Sequence, residues 1–202
     1  MVTRSLFVEG GGDQRILEDE CRKGFRIFLE KAGCSGRMPR IIACGGRSQA
    51  MDSFQTALRG KKDGDKVHLL VDSECAVDAA HTANQKPWDH LAQASAGGFA
   101  KPDGATDCDA HLMVECMESW FLADLPGLQK GLGKVYARIT VPHGGGNVEL
   151  LTKAQVMELM ERAASGRYSK GGQSFKILAQ LDPSQVENKS VWAKRFLDEM
   201  RK

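Results

Sequence analysis

The sequence lacks several features that would assign a function at once. No stretch approaches the roughly 18 apolar residues of a membrane span. The segment MVTRSLFVEG reaches a glutamate before an apolar signal region forms, so we expect a cytoplasmic protein with no membrane partner. The six cysteines form no C-x-x-C pair and have no zinc-like spacing to the five histidines, which favours reduced thiols.

Common nucleotide and hydrolase motifs are also missing. GGGDQR is not a G-x-G-x-x-G fingerprint, and neither GGGD nor GKKDGD has the Gly-Lys-Ser/Thr ending of a P-loop. HGGGN is similar to an oxyanion loop, but no G-x-S-x-G nucleophile accompanies it. Aromatic residues are only 6% of the chain, and neither a base-stacking array nor a groove-reading helix is recognisable. The sequence therefore leaves substrate choice open.

The composition is that of a soluble globular protein with a proper core. The chain has 202 residues, of which 42% are hydrophobic and 27% are charged. This length fits one domain with elaborations or two small ones. We favour a single domain over residues 1–202, with a core at about 1–125 and a helical extension at about 150–202.

Charge is distributed unevenly along the chain. Residues 1–66 have 13 Lys+Arg against 9 Asp+Glu, residues 67–128 have 2 against 10, and residues 129–202 have 13 against 7. An acidic centre could contain a carboxylate cluster that binds a hard metal cation. The basic side chains on either side could then attract a polyanion. A simple drift of charge along the chain is the alternative.

Hydrophobic periodicity predicts alternating strands and helices. Strands are expected at RSLFVE, RIIAC and KVHLLVDSE, with helices between them. We expect Asp13 to cap the first helix and Gly33 to end it. The continuous apolar run in KVHLLVDSE indicates burial on both faces, as in a parallel sheet. The order strand, helix, strand, helix, strand therefore predicts a layered α/β fold.

The sequence pattern directly after the third predicted strand is less regular. Residues 76–110 read as a surface excursion with one short helix near Trp88. The segment AHLMVECMESWFLADLPGL is either a strand leading into a helix or one longer helix. A capping box at Thr152 and Gln155 predicts a helix in TKAQVMELMERAASG, and further helices follow towards the end.

Acidic side chains follow two of the predicted strands. Glu9 comes directly after LFV, and Asp72 and Glu74 come after LLV. Functional groups of a parallel sheet gather at the carboxyl ends of its strands, and residues 72 and 74 share one side if the chain stays extended. Three carboxylates placed together repel one another unless a divalent ion neutralises them. Mg²⁺ suits oxygen ligands of this kind, with Mn²⁺ as the substitute, and Glu9 could add general acid or base chemistry.

These motifs resemble a known family. FVEGGGD followed by LLVDSE resembles the glutamate and D-x-D motifs of the TOPRIM domain of topoisomerases, primases and overcoming-lysogenization-defect nucleases. Together with CRKGFRIFLEKAG, MPRIIACGGR, HLMVECMESWFLAD and SFKILAQLDP, they resemble a TOPRIM-like bacterial family known as domain of unknown function 4276. The resemblance covers nearly the whole chain. It implies a Rossmann-like TOPRIM fold, a mainly parallel sheet of about four strands flanked by helices, and a magnesium site. It also implies a genomic association with an ATPase partner in antiphage defence modules.

The resemblance also implies roles for individual residues. Glu9 matches the catalytic glutamate, and Asp72 and Glu74 match the D-x-D acids, although Glu74 is one methylene longer than aspartate. Glu118 in MESWFL matches a further acid and is expected as a fourth metal ligand. Glu115 precedes it by three residues and could share its helix face.

The basic, glycine-rich turn GRYSKGGQS is the remaining candidate. We expect Arg167 and Lys170 to neutralise phosphate charge, with Lys170 in a catalytic role, and Ser174 to donate a hydrogen bond. Gly10 and Gly11 would let a phosphate approach the backbone. A plain solvated loop is the alternative for the basic turn.

The favoured function is a Mg²⁺-dependent phosphoryl-transfer enzyme, a nuclease that acts on DNA or RNA as the effector of a defence module. The alternative is a non-catalytic subunit that docks on an ATPase or binds nucleic acid. Glu74 stands where the D-x-D motif has its second aspartate, and this difference supports the alternative. The absence of a nearby catalytic tyrosine argues against a topoisomerase. A haloacid dehalogenase type of phosphatase ranks last, because glutamate stands where its aspartate nucleophile is needed.

Overall fold

The structure is a computed structural model that describes residues 3–12 and 14–202, without the side chain of His143. The expected helix cap Asp13 lies outside the described residues. The strands are β1 (Arg4–Val8), β2 (Arg40–Ala43), β3 (Lys66–Asp72) and β4 (Ala110–Met113). The helices are α1 (Arg15–Leu29), α2 (Arg47–Arg59), α3 (Ala79–Ala83), α4 (Pro87–Leu91), α5 (Glu118–Ala123), α6 (Leu125–Leu132), α7 (Lys153–Ala163), α8 (Gly172–Leu178), α9 (Pro183–Lys189) and α10 (Val191–Met200).

In the described part of the chain, four strands form one parallel sheet in the order β2-β1-β3-β4. Strand β2 lies on one side of β1. The chain then crosses over to form β3 on the other side of β1, and β4 lies beyond β3. The strand order therefore reverses between β1 and β3. Such a reversal leaves a crevice at the carboxyl ends of the two strands, where ligands bind in open α/β sheets. The predicted Rossmann-like α/β fold is confirmed.

Both faces of the sheet are buried. In β1, Leu6 and Val8 pack into one hydrophobic cluster, while Phe7 packs into another on the opposite face. In β3, Leu70 joins the first cluster and Leu69 joins the second. This alternation follows from the period of two along a strand, combined with helices on each side. The expectation that the apolar run of β3 is covered on both faces is confirmed.

Helices from the end of the chain pack back onto the first half. Helix α8 lies against α1, where a Cβ on Gly24 would come within 2.7 Å of the Phe175 carbonyl oxygen, so glycine permits the close approach. Helix α10 lies against the edge strand β4, and Arg195 Nη1 donates to the Ala110 carbonyl at 2.8 Å. Covering an exposed strand edge in this way removes a site for unwanted strand pairing.

Several local expectations are settled by the structure. HLMV contains a strand, β4, and a separate helix α5 follows it. The excursion at 76–110 contains two short α-helices, α3 and α4, rather than one. Gly33 has a φ of 89° where the chain leaves the first helix, and the predicted capping box of Thr152 and Gln155 is present at α7. No helix of the described residues combines the length and apolar character that crossing a bilayer requires.

His68 and His111 are two of three buried histidines whose lowered pKa makes stability dependent on pH, the third being His90. Burial and the charge of Arg4 lower the pKa of His68 to about 4. Burial and the neighbouring charges of His68 and Arg195 lower the pKa of His111. The folded state therefore resists protonation that the unfolded chain accepts below a pKa of about 6.5.

We predict that His68 and His111 each lower the free energy of unfolding by about 1.4 kcal/mol per pH unit as pH falls from about 6.5 towards 5. Denaturant titrations at several pH values measure this slope. His68→Phe should reduce the slope of the free energy of unfolding against pH by the contribution of one histidine, about 1.4 kcal/mol per pH unit. An unchanged slope in this variant would contradict the assignment.

Candidate functional site

Glu9 lies immediately beyond β1, at the reversal of strand order. Its backbone N–H donates to the Leu70 carbonyl at 3.0 Å, which continues the pairing with β3. Gly10 and Gly45 then bridge the ends of β1 and β2 through two backbone hydrogen bonds of 2.8 and 2.9 Å. Gly11 has a φ of 93°, and a Cβ there would come within 3.1 Å of the Glu18 Cα. The glycines therefore form a tight turn that leaves Glu9 at the sheet edge.

Asp72 ends β3 and is tied directly to Glu9. The Asp72 backbone N–H donates to Glu9 Oε2 at 3.1 Å. Its own Oδ1 accepts from the Met117 backbone N–H at 2.9 Å, immediately before α5. Backbone donors thus hold both carboxylates in place, and the two acids from strands β1 and β3 meet as expected.

Glu74 also joins this pair, although by a different backbone path from the one expected. A φ of 67° places Glu74 in the left-handed region, so the assumption of an extended chain at 72–74 is wrong. The turn still brings its carboxylate to the site. One carboxylate oxygen from each of Glu9, Asp72 and Glu74 lies within 4.8 Å of the others, and together they could hold a metal ion.

Arg47 lies among these acids at the start of α2. Its Nε donates to Glu9 Oε2 at 3.3 Å, and its Nη2 lies 3.2 Å from Glu74 Oε1. The same guanidinium donates to the Ala96 carbonyl at 2.7 Å and to the Asp72 carbonyl. Its side chain is only 11% exposed, so this cation is a fixed part of the site.

Lys153 binds Glu74 from the other side. Its Nζ donates to Glu74 Oε2, and its backbone N–H donates to Glu115 Oε2 at 2.6 Å. Glu115 is buried and lies before α5 begins at Glu118, so the expectation that these two glutamates share a helix face is wrong. Glu115 instead holds the beginning of α7.

Glu118 approaches the site from α5 and is held by the basic turn. Its Oε1 accepts from the Tyr168 hydroxyl at 2.9 Å, and its Oε2 lies 3.5 Å from Lys170 Nζ. The Tyr168 hydroxyl is also 2.8 Å from Ser174 Oγ. Glu118 is only 2% exposed, so a buried hydroxyl pair and one lysine compensate its carboxylate.

A pocket of about 310 Å³ opens beside these groups. A larger cavity of about 720 Å³ elsewhere shares no lining residue with it and does not adjoin the acids. The lining of the smaller pocket combines three acids, a glycine turn and part of the basic turn. It consists of Glu9, Gly10, Gly11, Gly12, Leu17, Gly45, Asp72, Met117, Glu118, Lys170, Gly171, Ser174 and Phe175.

The titration behaviour of the acids differs across the site. Burial, followed by the charges of Glu9 and Glu118, raises the pKa of Asp72 well above its ordinary value. Burial also acts to raise the pKa of Glu74, but the hydrogen bond and charge of Lys153 and the charge of Arg47 outweigh it, so this pKa is lowered. A bound cation would therefore stabilise the charged form of Asp72 more than that of Glu74.

The sequence-predicted residues are only partly brought together. Gly10, Gly11, Lys170 and Ser174 line the pocket, whereas Arg167 is exposed and is not among the lining residues. The hydroxyl of Ser174 is paired with Tyr168 and would have to reorient to donate to a ligand.

Three contributors were not predicted, namely Arg47, Lys153 and Tyr168. Applying the strand-end rule to cations could have identified Arg47, because it follows β2 directly after Gly45 and Gly46. Tyr168 lies within the GRYSKGGQS turn. We find no sequence signal for Lys153, which reaches Glu74 across 79 positions of the chain.

Comparison with known proteins identifies the family of the chain. A family model described as Domain of unknown function (DUF4276) matches residues 8–201. None of the curated proteins and none of the solved structures matches the chain.

We predict that Asp72→Asn stabilises the metal-free protein by roughly 0.5–2 kcal/mol, a magnitude common for stabilising substitutions. The amide removes the repulsion from Glu9 and Glu118, while its oxygen can still accept from the Met117 N–H. Denaturant titration in a chelator at neutral pH measures the change. The exposed Glu158→Gln serves as the control and should have no effect. A variant that is less stable than the wild type would contradict the electrostatic account.

Proposed function

The chain belongs to the DUF4276 family, and we propose that it is a divalent-metal-dependent enzyme of phosphoryl transfer, a nuclease acting on DNA or RNA. The single observation that supports this most is the meeting of Glu9 and Asp72 at the strand reversal, beside a glycine-lined pocket that also contains Lys170. Catalytic acids at this place in an open α/β sheet are positioned for a bound ligand.

The donor set fits Mg²⁺ or Mn²⁺. Every candidate ligand is a carboxylate oxygen, which is the type that hard divalent cations prefer. Glu9, Asp72 and Glu74 form the cluster whose oxygens lie within 4.8 Å of one another, and Glu118 lines the pocket with Glu9 and Asp72. The pKa of Asp72 is raised by burial and by the charges of its acidic neighbours, so a cation would relieve its repulsion. When bound, the ion would polarise a phosphodiester and lower the pKa of a water molecule.

The side chains of this chain have distinct tasks in such a reaction. In the described part of the chain, both donors that contact the Glu9 carboxylate reach Oε2, so Oε1 is left for a cation or a proton. Glu9 is therefore placed to act as a metal ligand or as a general base. Lys170 is half exposed at the pocket and can pair with phosphate oxygens. The turn at Gly10 and Gly11 lets the phosphate approach the backbone.

The partners proposed for this enzyme follow from the same chemistry. A nucleic acid supplies the phosphodiester, and cationic residues flank the acidic centre in the sequence. The TOPRIM relationship, the ATPase partner and the role as effector of an antiphage module belong to this proposal as the family resemblance suggests them. They predict co-purification with an ATPase and nucleolytic activity in its presence.

We predict that the protein cleaves nucleic acid with Mg²⁺ or Mn²⁺, and that Glu9→Gln and Asp72→Asn each lower the rate by about 100-fold or more. Both substitutions keep the side-chain shape but remove a charged oxygen ligand. A panel of single- and double-stranded DNA and RNA measures cleavage, while circular dichroism verifies the fold. Glu158→Gln, exposed on α7, is the matched control.

Unchanged cleavage by both variants would contradict the assignment. Failure to bind Mg²⁺ or Mn²⁺ at millimolar concentration would favour the alternative, a non-catalytic subunit that docks on an ATPase or binds nucleic acid. A calorimetric titration distinguishes the two.

We also predict that Lys170→Met lowers the turnover number by about 100-fold, because it removes a positive charge that stabilises the developing phosphate charge. Lys176→Met is the matched control, since Lys176 lies nearby on α8, is exposed and pairs with Glu20 at 3.7 Å. Equal effects of the two substitutions on turnover would show that Lys170 contributes only general surface charge.

A further inference from the structure

Two adjoining cavities form a groove beside α6. Their volumes are about 720 and 410 Å³, and both are lined by Leu125, Pro126 and Lys189. In the described part of the chain, neither cavity shares a lining residue with the pocket beside the acids. We call the two cavities together the α6 groove. It is a separate surface feature, which the proposed chemistry at the strand ends does not use.

Positive charge dominates the α6 groove. The cationic side chains that line it are Lys31, Lys130, Arg138 and Lys189. Among the described residues, none of these four forms a salt bridge. The described lining contains two carboxylates against these four cations, which leaves a formal excess of two positive charges.

The two carboxylates of the groove are already bound to backbone N–H groups. Asp124 Oδ1 accepts from the Gly127 N–H at 3.1 Å, and its Oδ2 accepts from the Asp182 N–H at 2.8 Å. Asp182 Oδ1 accepts from the Ser184 N–H at 2.9 Å. These bonds cap the beginnings of α6 and α9, where negative charge is favourable. The acids therefore stabilise helix ends, and the cations of the groove stay available to an anion.

Two of the lysines are fixed in place and keep spare hydrogen-bond donors. Lys31 Nζ donates to the carbonyls of Ala179 and Leu181 at 2.7 and 3.2 Å, and Lys189 Nζ donates to the Ala123 carbonyl at 2.7 Å. An ammonium group has three N–H donors, so each of these lysines keeps at least one for a ligand. A side chain that is already ordered loses less conformational entropy when it binds an anion.

The rest of the lining suits a nucleic-acid strand. Tyr136 supplies an aromatic ring on which a base can stack. Gly144 and Gly145 of the HGGGN segment also line the groove, and their lack of side chains lets a phosphate approach the backbone. A single small anion would engage only one or two of the cations. Charge spread over two cavities instead matches a chain of phosphates.

Short helices connect the α6 groove with the pocket beside the acids. Helix α5 begins at Glu118, which lines the pocket, and ends at Ala123, which lines the groove. Helix α8 contains Ser174 of the pocket, and Gln180 after it lines the groove. At a rise of about 1.5 Å per residue, each path measures roughly 10 Å along the helix axis. A strand advances about 3.4 Å per nucleotide, so one strand of several nucleotides can occupy both places.

We propose that the α6 groove binds the phosphate backbone of a nucleic-acid strand whose scissile phosphate lies in the pocket beside the acids. The identity of this ligand rests on the proposed function, which the inference deepens by assigning a substrate-binding surface away from the chemistry. The exposed Lys130 and Arg138 neutralise phosphates from mobile side chains, and Lys31 and Lys189 do so from fixed positions. Contacts of this kind position a strand without reading its base sequence.

Removal of one exposed cation at a time tests the groove. Lys130→Gln and Arg138→Gln should each weaken binding of a single-stranded oligonucleotide by about fivefold near 0.1 M salt. Each should also make the slope of log K against log salt concentration shallower by about 0.7. Fluorescence anisotropy of the full-length protein with labelled DNA and RNA oligonucleotides measures both quantities, in a chelator so that no metal-dependent cleavage occurs.

Lys61→Gln is the matched control and should leave the affinity and the salt slope unchanged. Lys61 is exposed shortly after the end of α2, and among the described residues it forms no salt bridge. Helix α2 packs into the hydrophobic cluster on the opposite face of the sheet from α6.

Each outcome of these titrations decides the proposal. A wild type that binds neither oligonucleotide, groove variants that keep the wild-type affinity and salt slope, or an equal loss in Lys61→Gln would overturn it. Unchanged binding by the groove variants, together with metal-dependent cleavage by the wild type, would reject the groove and leave the proposed enzyme standing. Weaker binding by the groove variants, with no cleavage by the wild type, would retain the groove and reject the enzyme. Should one groove variant fail to fold, the other still decides.

Discussion

The hydrogen bond from the Asp72 backbone N–H to the Glu9 carboxylate joins the two strands on which the site depends. It can form because β1 and β3 are parallel neighbours at the reversal of strand order, so that their carboxyl ends lie side by side. The glycine turn after Glu9 and the bond from Met117 to Asp72 then fix both side chains. Arg47 contacts both members of this pair from the start of α2, and Glu118 lines the same pocket from α5. The topology of the sheet therefore determines where the chemistry can occur.

Charge balance is the second constraint on this site. Four carboxylates face three cationic side chains, and the cations are not shared equally among the acids. Two of them bind Glu74, whereas the half-buried Asp72 keeps a raised pKa between its acidic neighbours. A protein that places an uncompensated carboxylate in such surroundings loses stability, and functional sites commonly show this cost. The set consists of Glu9, Asp72, Glu74 and Glu118 with Arg47, Lys153 and Lys170.

Much of the fold follows from short-range patterns in the sequence. The apolar runs of β1 and β3 and the periodic face of α1 specify their elements without help from distant residues. HLMV was ambiguous because a short apolar run of four residues satisfies either a strand or a buried helix. The strand-end rule predicted Glu9 and Asp72 as neighbours. It predicted Glu74 for an incorrect geometric reason, since its left-handed backbone breaks the period of two.

The remaining parts of the site depend on tertiary contacts that no local pattern encodes. Lys153 reaches Glu74 from a helix 79 positions later, and the Tyr168 hydroxyl reaches Glu118 across 50 positions. Arg47 could equally have been a solvated residue at a helix start. Its role emerges only when α2 packs beside the ends of β1 and β3.

Anomalous diffraction from crystals of this protein soaked in Mn²⁺, recorded at the manganese absorption edge, tests the central claim most directly. We predict an anomalous peak beside the carboxylates of Glu9 and Asp72, at the carboxyl ends of β1 and β3. A fully soaked crystal with no peak at the ends of β1 and β3 would contradict it.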